Sequence, residues 1–182
     1  MPKKTTIRPD QTLARWTRNS LSLIVRLSGR GVHSISLENY DPQQKLLWSD
    51  IGVPVVDLAA VTPFGPDLAA ELAVAIEGRP FTPTVPWVSD GPPWHTEVYR
   101  ELLRLSRGRL TDVFAVVPGY KLRQTRPAIL RIIRRCPLVP VVPVHRAANG
   151  NRPLPFPWKR RWRDYLLDQE RQHQTDQKGD TP

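Results

Sequence analysis

Acidic residues are scarce where basic ones are densest. Between residues 100 and 163 stand two acids, Glu101 and Asp112, against sixteen lysines and arginines, while the other 118 residues hold eleven basic and fifteen acidic side chains. The formal charge of +10 therefore belongs to one segment. A basic stretch of that density points to a polyanionic partner, nucleic acid before a membrane surface. Cysteine is almost absent as well. The single Cys136 excludes an intramolecular disulfide and a multi-cysteine zinc site, and it fits a reducing compartment. His33, His95, His145 and His173 stand singly, without metal-ligand spacing, so no metal and no cofactor is expected. Long apolar runs are missing too. Leu21 to Val25 is five residues long before Arg26 interrupts it, too short for a signal-peptide core. No stretch approaches the ~18 apolar residues of a transmembrane helix. The expectation is a cytoplasmic monomer without membrane contact.

Proline is abundant instead. Twenty prolines in 182 residues are roughly double the ordinary usage, which predicts stiff loops and short helices. With 40% apolar content the chain suffices for one ordinary core, or for a small domain packed on a larger one. Residues 1–19 read as a flexible basic leader. The stretches 20–27 and 32–37, joined by SGRG, read as a hairpin, with a third strand at Val53 to Leu58. Leu68, Leu72 and Ile76 recur every four residues after Asp67, a candidate cap, and before Gly78, which predicts a helix from Leu68 to about Glu77. Residues 20–92 thus form an N-terminal sheet-plus-helix domain that ends in the proline-rich linker RPFTPTVPWVSDGPPW, where five prolines forbid a regular helix.

Residues 93–171 carry helical periodicity. Val98, Leu102 and Leu105 share a face from Thr96 to Gly108; Thr111 or Asp112 caps a short helix through Val117; Pro118-Gly119 forms a turn; Thr125 caps a helix from Arg126 to Arg135 with Pro127 in its first turn. Two short helices joined by a glycine-containing turn predict a helix-turn-helix. On a wheel of the last helix Ala128, Ile129, Ile132 and Ile133 form the core face, and Arg126, Arg131, Arg134 and Arg135 the basic face. Leu130 breaks the pattern by projecting among the arginines, either against a neighbouring loop or as an apolar wedge between bases. Trp87, Trp94 and Trp158 fall in predicted loops, and Trp162 and Tyr165 join Leu166 as core of a final helix. Residues 172–182 read as a disordered tail.

The order of these parts resembles the O6-alkylguanine-DNA alkyltransferases and their alkyltransferase-like relatives. The resemblance rests on Cys136-Pro137 at the hinge after the recognition helix, the apolar run Leu138 to Val142, Pro143-Val144-His145-Arg146 at the active-site motif, Asn149-Gly150 with Phe156 in the following loop, and Leu166-Leu167-Asp168-Gln169-Glu170 in the last helix. It covers roughly residues 20–171. It implies an α+β fold, a small sheet-and-helix domain before a helical domain with a helix-turn-helix, and double-stranded DNA containing O6-alkylguanine as partner. It also implies minor-groove binding with base flipping, and excision-repair proteins that read the complex.

The departures decide what chemistry the resemblance implies. In the alkyltransferases a cysteine takes the alkyl group, activated through histidine, water and glutamate. His145 and Glu170 match those positions, but Val144 stands at the cysteine, so Pro143, Val144, His145, Arg146 and Glu170 form a degenerate active site without a nucleophile. The resemblance then implies recognition without transfer, with Arg126, Leu130, Arg131, Arg134 and Arg135 on DNA and Val113, Phe114 and Phe156 at the pocket. Leu130 and Arg131 occupy the family's paired glycines, Pro127 its base-replacing arginine, and Val113 its tyrosine. The alternatives are a degenerate paralogue that binds DNA or protein without recognising a lesion, and an enzyme in which Cys136, activated by Arg134 and Arg135, acts as a relocated nucleophile.

Overall fold

The computed structural model describes residues 10–18, 21–37, 54–117, 124–158 and 160–179. Its first element corrects the leader. Strand β1 (Gln11–Arg18) pairs along its whole length with β2 (Leu21–Ser28), from Gln11 opposite Ser28 to Arg18 opposite Leu21. Its composition is polar, but Leu13, Ala14 and Trp16 are buried, and a strand flanked on both edges is ordered by its neighbours more than by its own propensity. Strand β3 (Gly31–Leu37) completes the expected hairpin, and β4 (Val55–Asp57) adds parallel to β1, giving the order β3-β2-β1-β4.

Helix α1 (Gly65–Ile76) buries Leu68, Leu72 and Ile76 as their spacing predicts. It begins before the expected cap. Pro66 supplies a preset φ in the first turn, and Asp67 lies inside that turn, near the positive helix end, instead of capping it. The linker then runs along the edge of β3: Val32 N donates to Pro86 O at 2.9 Å and Val88 N to Val32 O at 2.8 Å. Gly31 permits this approach, since a Cβ there would lie 2.2 Å from Pro86 O.

Helix α2 (Pro93–Leu102) starts earlier than Thr96, with proline at its first position, so Trp94 lies on a helix and not in a loop. The expected helix after Asp112 is only a 3-10 turn, Val113–Ala115, that follows the short strand β5 (Thr111–Asp112); Asp112 Oδ1 accepts from Phe114 N at 3.2 Å. The Pro118-Gly119 turn of the predicted helix-turn-helix lies outside the described residues. Helix α3 (Arg126–Arg134) matches its prediction, with Thr125 Oγ1 accepting from Ala128 N at 3.4 Å. Ile35 N donates to Pro137 O at 2.7 Å, which ties the chain leaving α3 to the N-terminal sheet.

A 3-10 turn, Val144–Arg146, leads into β6 (Ala147–Asn149), which lies parallel to β5 and antiparallel to β7 (Arg152–Pro153). Gly150 turns this hairpin at a φ of 58°. Helix α4 (Arg160–Gly179) corrects the expected disorder after residue 171. Arg171 Nε donates to Gly108 O at 2.7 Å and Gln174 Nε2 to Arg107 O at 3.4 Å, so the helix continues because its side chains hold the turn before β5. No described helix is long and apolar enough to cross a membrane.

Candidate functional site

Two segments distant in sequence converge on the carboxylate of Glu170, a side chain buried in α4. His145 Nε2 donates to Oε1 at 2.8 Å, Arg146 Nη2 to Oε1 at 2.6 Å and Nε to Oε1 at 2.9 Å, while Gly108 N donates to Oε2 at 2.7 Å. Arg146 Nη1 also donates to Leu105 O at 3.0 Å. The tight turn over Val144–Arg146 points two consecutive side chains at α4. Gly108, at a φ of 69°, aims its N–H at the same carboxylate. Gly78 ends α1 directly against the Glu170 turn, where a Cβ would lie 2.5 Å from Gln169 C and from Glu170 N.

The electrostatics follow from burial and these contacts. Burial pushes the Glu170 carboxyl up, but the hydrogen bond from His145 and the Arg146 guanidinium outweigh it and hold the pKa at about 2. Burial pushes His145 the other way, below its ordinary value, against the opposing pull of Glu170. A neutral imidazole facing an ionised carboxylate carries its proton on Nε2. Nδ1 is therefore a lone-pair acceptor, and it is buried without a hydrogen-bond partner. The arrangement is a histidine oriented as a base, with its donor side satisfied and its acceptor side open.

The residue that precedes it offers no nucleophile. Val144 is 0% exposed, and Pro143 is buried beside it. Cys136 lies eight residues earlier in the chain. It is buried, and burial pushes its thiol up to about 12, so the desolvation of a thiolate overrides whatever Arg134 and Arg135 contribute. This burial weighs against the alternative of an activated cysteine.

The arginines of α3 fall into separate stripes. Ile129 and Ile133 are fully buried. Arg126, Leu130 and Arg134 succeed one another at four-residue intervals on a second stripe, with the Arg126 guanidinium 4.3 Å above the Phe114 ring. Leu130 is half-buried and packs against the core, as a residue sharing both faces does. Arg131 and Arg135, with Ala128 and Ile132, form a third stripe that lines a cavity at the junction with the N-terminal sheet. The expected single basic face is thus two faces, and Ala128 and Ile132 are only half-buried.

Pairing of β5 with β6 sets the Val113–Ala115 turn against β6. Val113 is wholly core, while Phe114 is half-buried beneath Arg126. Phe156 is held edge-on to Trp158 at 6.0 Å, with the Arg163 guanidinium 5.4 Å from its ring. Trp158 is buried and unavailable for stacking, whereas Tyr165, expected in the core, is exposed. Sequence reasoning missed Leu105, Arg107 and Gly108. Arg107 Nη2 donates to Gly78 O, and Arg163 Nη2 to Leu154 O, so these arginines, like Arg146, serve carbonyl groups of the fold. The glycine of the Ser106-Arg107-Gly108 turn was the available signal.

The fold is that of the O6-methylguanine methyltransferases. The chain is similar to the Mycobacterium tuberculosis O6-methylguanine methyltransferase, with 13% identity over 89% of this chain and 93% of that one and a TM-score of 0.63. It is similar to the Mycobacterium tuberculosis OGT solved in complex with DNA, with 13% identity, coverage of 88% and 93% and a TM-score of 0.61. It is also similar to the O6-methylguanine-DNA methyltransferase of the hyperthermophilic archaeon Pyrococcus kodakaraensis strain KOD1, with 16% identity, coverage of 88% and 98% and a TM-score of 0.53. No protein-family model and no curated protein matches the sequence.

Proposed function

We propose that this chain binds duplex DNA and recognises alkylated guanine without removing the alkyl group. The observation that carries the reading is the intact Glu170–His145 pair behind a valine: the base is oriented and its open Nδ1 retained, while Val144 supplies nothing for it to activate. Apart from that substitution the arrangement resembles the alkyltransferase site, so the chemistry changes from transfer to binding. The Arg126, Leu130 and Arg134 stripe supports the DNA side of the reading. It sets two guanidiniums around one apolar side chain next to Phe114, the composition of a surface that grips phosphates and meets a groove.

Base extrusion costs a few kcal/mol. On this reading Arg126, held on Phe114, lies where a guanidinium can enter the vacated stack, a task that Pro127 cannot perform. A second reading, duplex binding without lesion recognition, is favoured by the burial of Val144, which exposes no surface to a base. Duplex carrying an isotopically labelled methyl group on guanine O6 tests the shared element of both. The label should stay on DNA while the complex is retained on a gel; label recovered on the protein refutes a purely binding role.

A further inference from the structure

On the opposite side of α3 from the Phe114 contact lies a half-open cavity of about 710 Å³ between the N-terminal sheet, the linker, α2 and α3. Neither the Glu170 network nor the Arg126 stripe contributes to it. Its lining is chemically divided. Arg131 and Arg135, one turn apart on α3, stand on one side; Trp94, His95 and Tyr99 of α2 supply rings on another; Arg26, His33 and Asp90 close the sheet side. Trp94 and His95 brace each other edge-on with centroids 4.3 Å apart.

Charge decides what such a cavity takes. The acid in its wall, Asp90, is engaged by Arg26, whose Nη2 donates to Oδ2 at 3.0 Å. Arg131 and Arg135 have no ion-pair partner among the described residues, so the site as a whole is net positive. Arg26 Nε is a buried donor without a hydrogen-bond partner. Guanidiniums one helical turn apart present several N–H donors to one group, the geometry that suits a tetrahedral phosphate. The aromatic wall suits a planar ring. The volume falls within the ~300–1,000 Å³ of small-molecule sites and exceeds what a lone aromatic acid fills.

We propose that this junction cavity binds a nucleoside monophosphate, its phosphate on Arg131 and Arg135 and its base against Trp94. The site is independent of duplex binding by the Arg126 stripe. Occupancy would bridge α3 to the N-terminal sheet, on which the Pro137 carbonyl already rests.

Titration of the full chain with guanosine 5′-monophosphate, following Trp fluorescence and calorimetric heat, tests the proposal against guanosine and inorganic phosphate as controls. The monophosphate should bind about tenfold or more tightly than either control, because each control lacks one of the two recognised groups. R131Q/R135Q should lose that binding at least about tenfold while keeping duplex affinity within a few-fold. R126Q/R134Q should show the reverse pattern, and W94A should weaken the monophosphate and guanosine alike. Melting curves establish that each variant is folded. Absence of monophosphate binding, or binding that R131Q/R135Q leaves unchanged, overturns the proposal. Loss of duplex affinity in R131Q/R135Q as large as in R126Q/R134Q also overturns it, since both stripes would then be DNA contacts. Failure of the duplex reading alone shows differently, as intact monophosphate binding in a protein that ignores duplex.

Discussion

His145 Nε2 lies 2.8 Å from Glu170 Oε1, and the other ring nitrogen, Nδ1, is buried without a partner. The pair fixes a neutral imidazole whose Nδ1 is left as an acceptor.

Restoring the thiol is therefore informative. Val144→Cys should take a labelled methyl group from O6-methylguanine duplex, where the parent protein takes none, as read by peptide mapping. Its thiol should also react with a small alkylating reagent at lower pH than Cys136, which burial holds at about 12. A variant that binds lesion duplex yet shows no label and no early-titrating thiol would show that Nδ1 does not face residue 144.

The same pair sets the acid response. His145 is lowered by burial, so the unfolded chain binds the proton more readily, and stability present above the ordinary histidine value of 6.5 declines as pH falls below it. Glu170 is lowered from 4.5 to about 2, so its contribution is present above 4.5 and lost between 4.5 and 2. Melting temperature should fall in two stages on acidification. Glu170→Gln should remove the lower stage and cost about 3 kcal/mol near neutrality, because it leaves the Arg146 charge buried and unpaired. A single-stage curve identical in parent and variant would contradict the pairing.

Leu130 shares its side chain between core and solvent. Leu130→Ala should lower stability by about 1 to 2 kcal/mol, less than the ~2–5 kcal/mol of a fully buried leucine. A wedge inserted between bases would instead leave melting unchanged and weaken only the DNA complex. Melting and duplex affinity measured on the one variant distinguish these outcomes.

Helix α3 and the Glu170 site were the most legible parts of the sequence. A capping threonine and an isoleucine period are local signals, and His145 and Glu170 were implied by the resemblance to the alkyltransferases. The strand β1 was not legible, because Gln11, Thr12, Arg15 and Thr17 mask Leu13 and Trp16, and order there comes from two flanking strands. The helix beyond residue 171 was missed for a related reason: its polar residues are held by Gly108 and Arg107 across more than sixty positions. Division of the arginines was hidden for a third reason. A wheel shows angle but not neighbour, and only the packed sheet shows that Arg131 and Arg135 face a cavity.

That division changes the expected salt response. Sixteen basic side chains between 100 and 163 suggest many phosphate contacts, but Arg107, Arg146 and Arg163 hold carbonyls and Arg131 and Arg135 line the junction. With roughly four to six phosphates neutralised, duplex affinity should drop about 10²- to 10³-fold between 50 and 200 mM salt. A flat response would remove DNA as the partner.

The central claim is recognition without chemistry, and the ratio of two affinities tests it most directly. Titrating the protein with duplex carrying one O6-methylguanine and with the matched undamaged duplex, at one salt concentration, should give tighter binding to the lesion by about tenfold, and by no more than ~200-fold, the range that one methyl group in an apolar site supplies. Equal affinities for the two duplexes would contradict the claim.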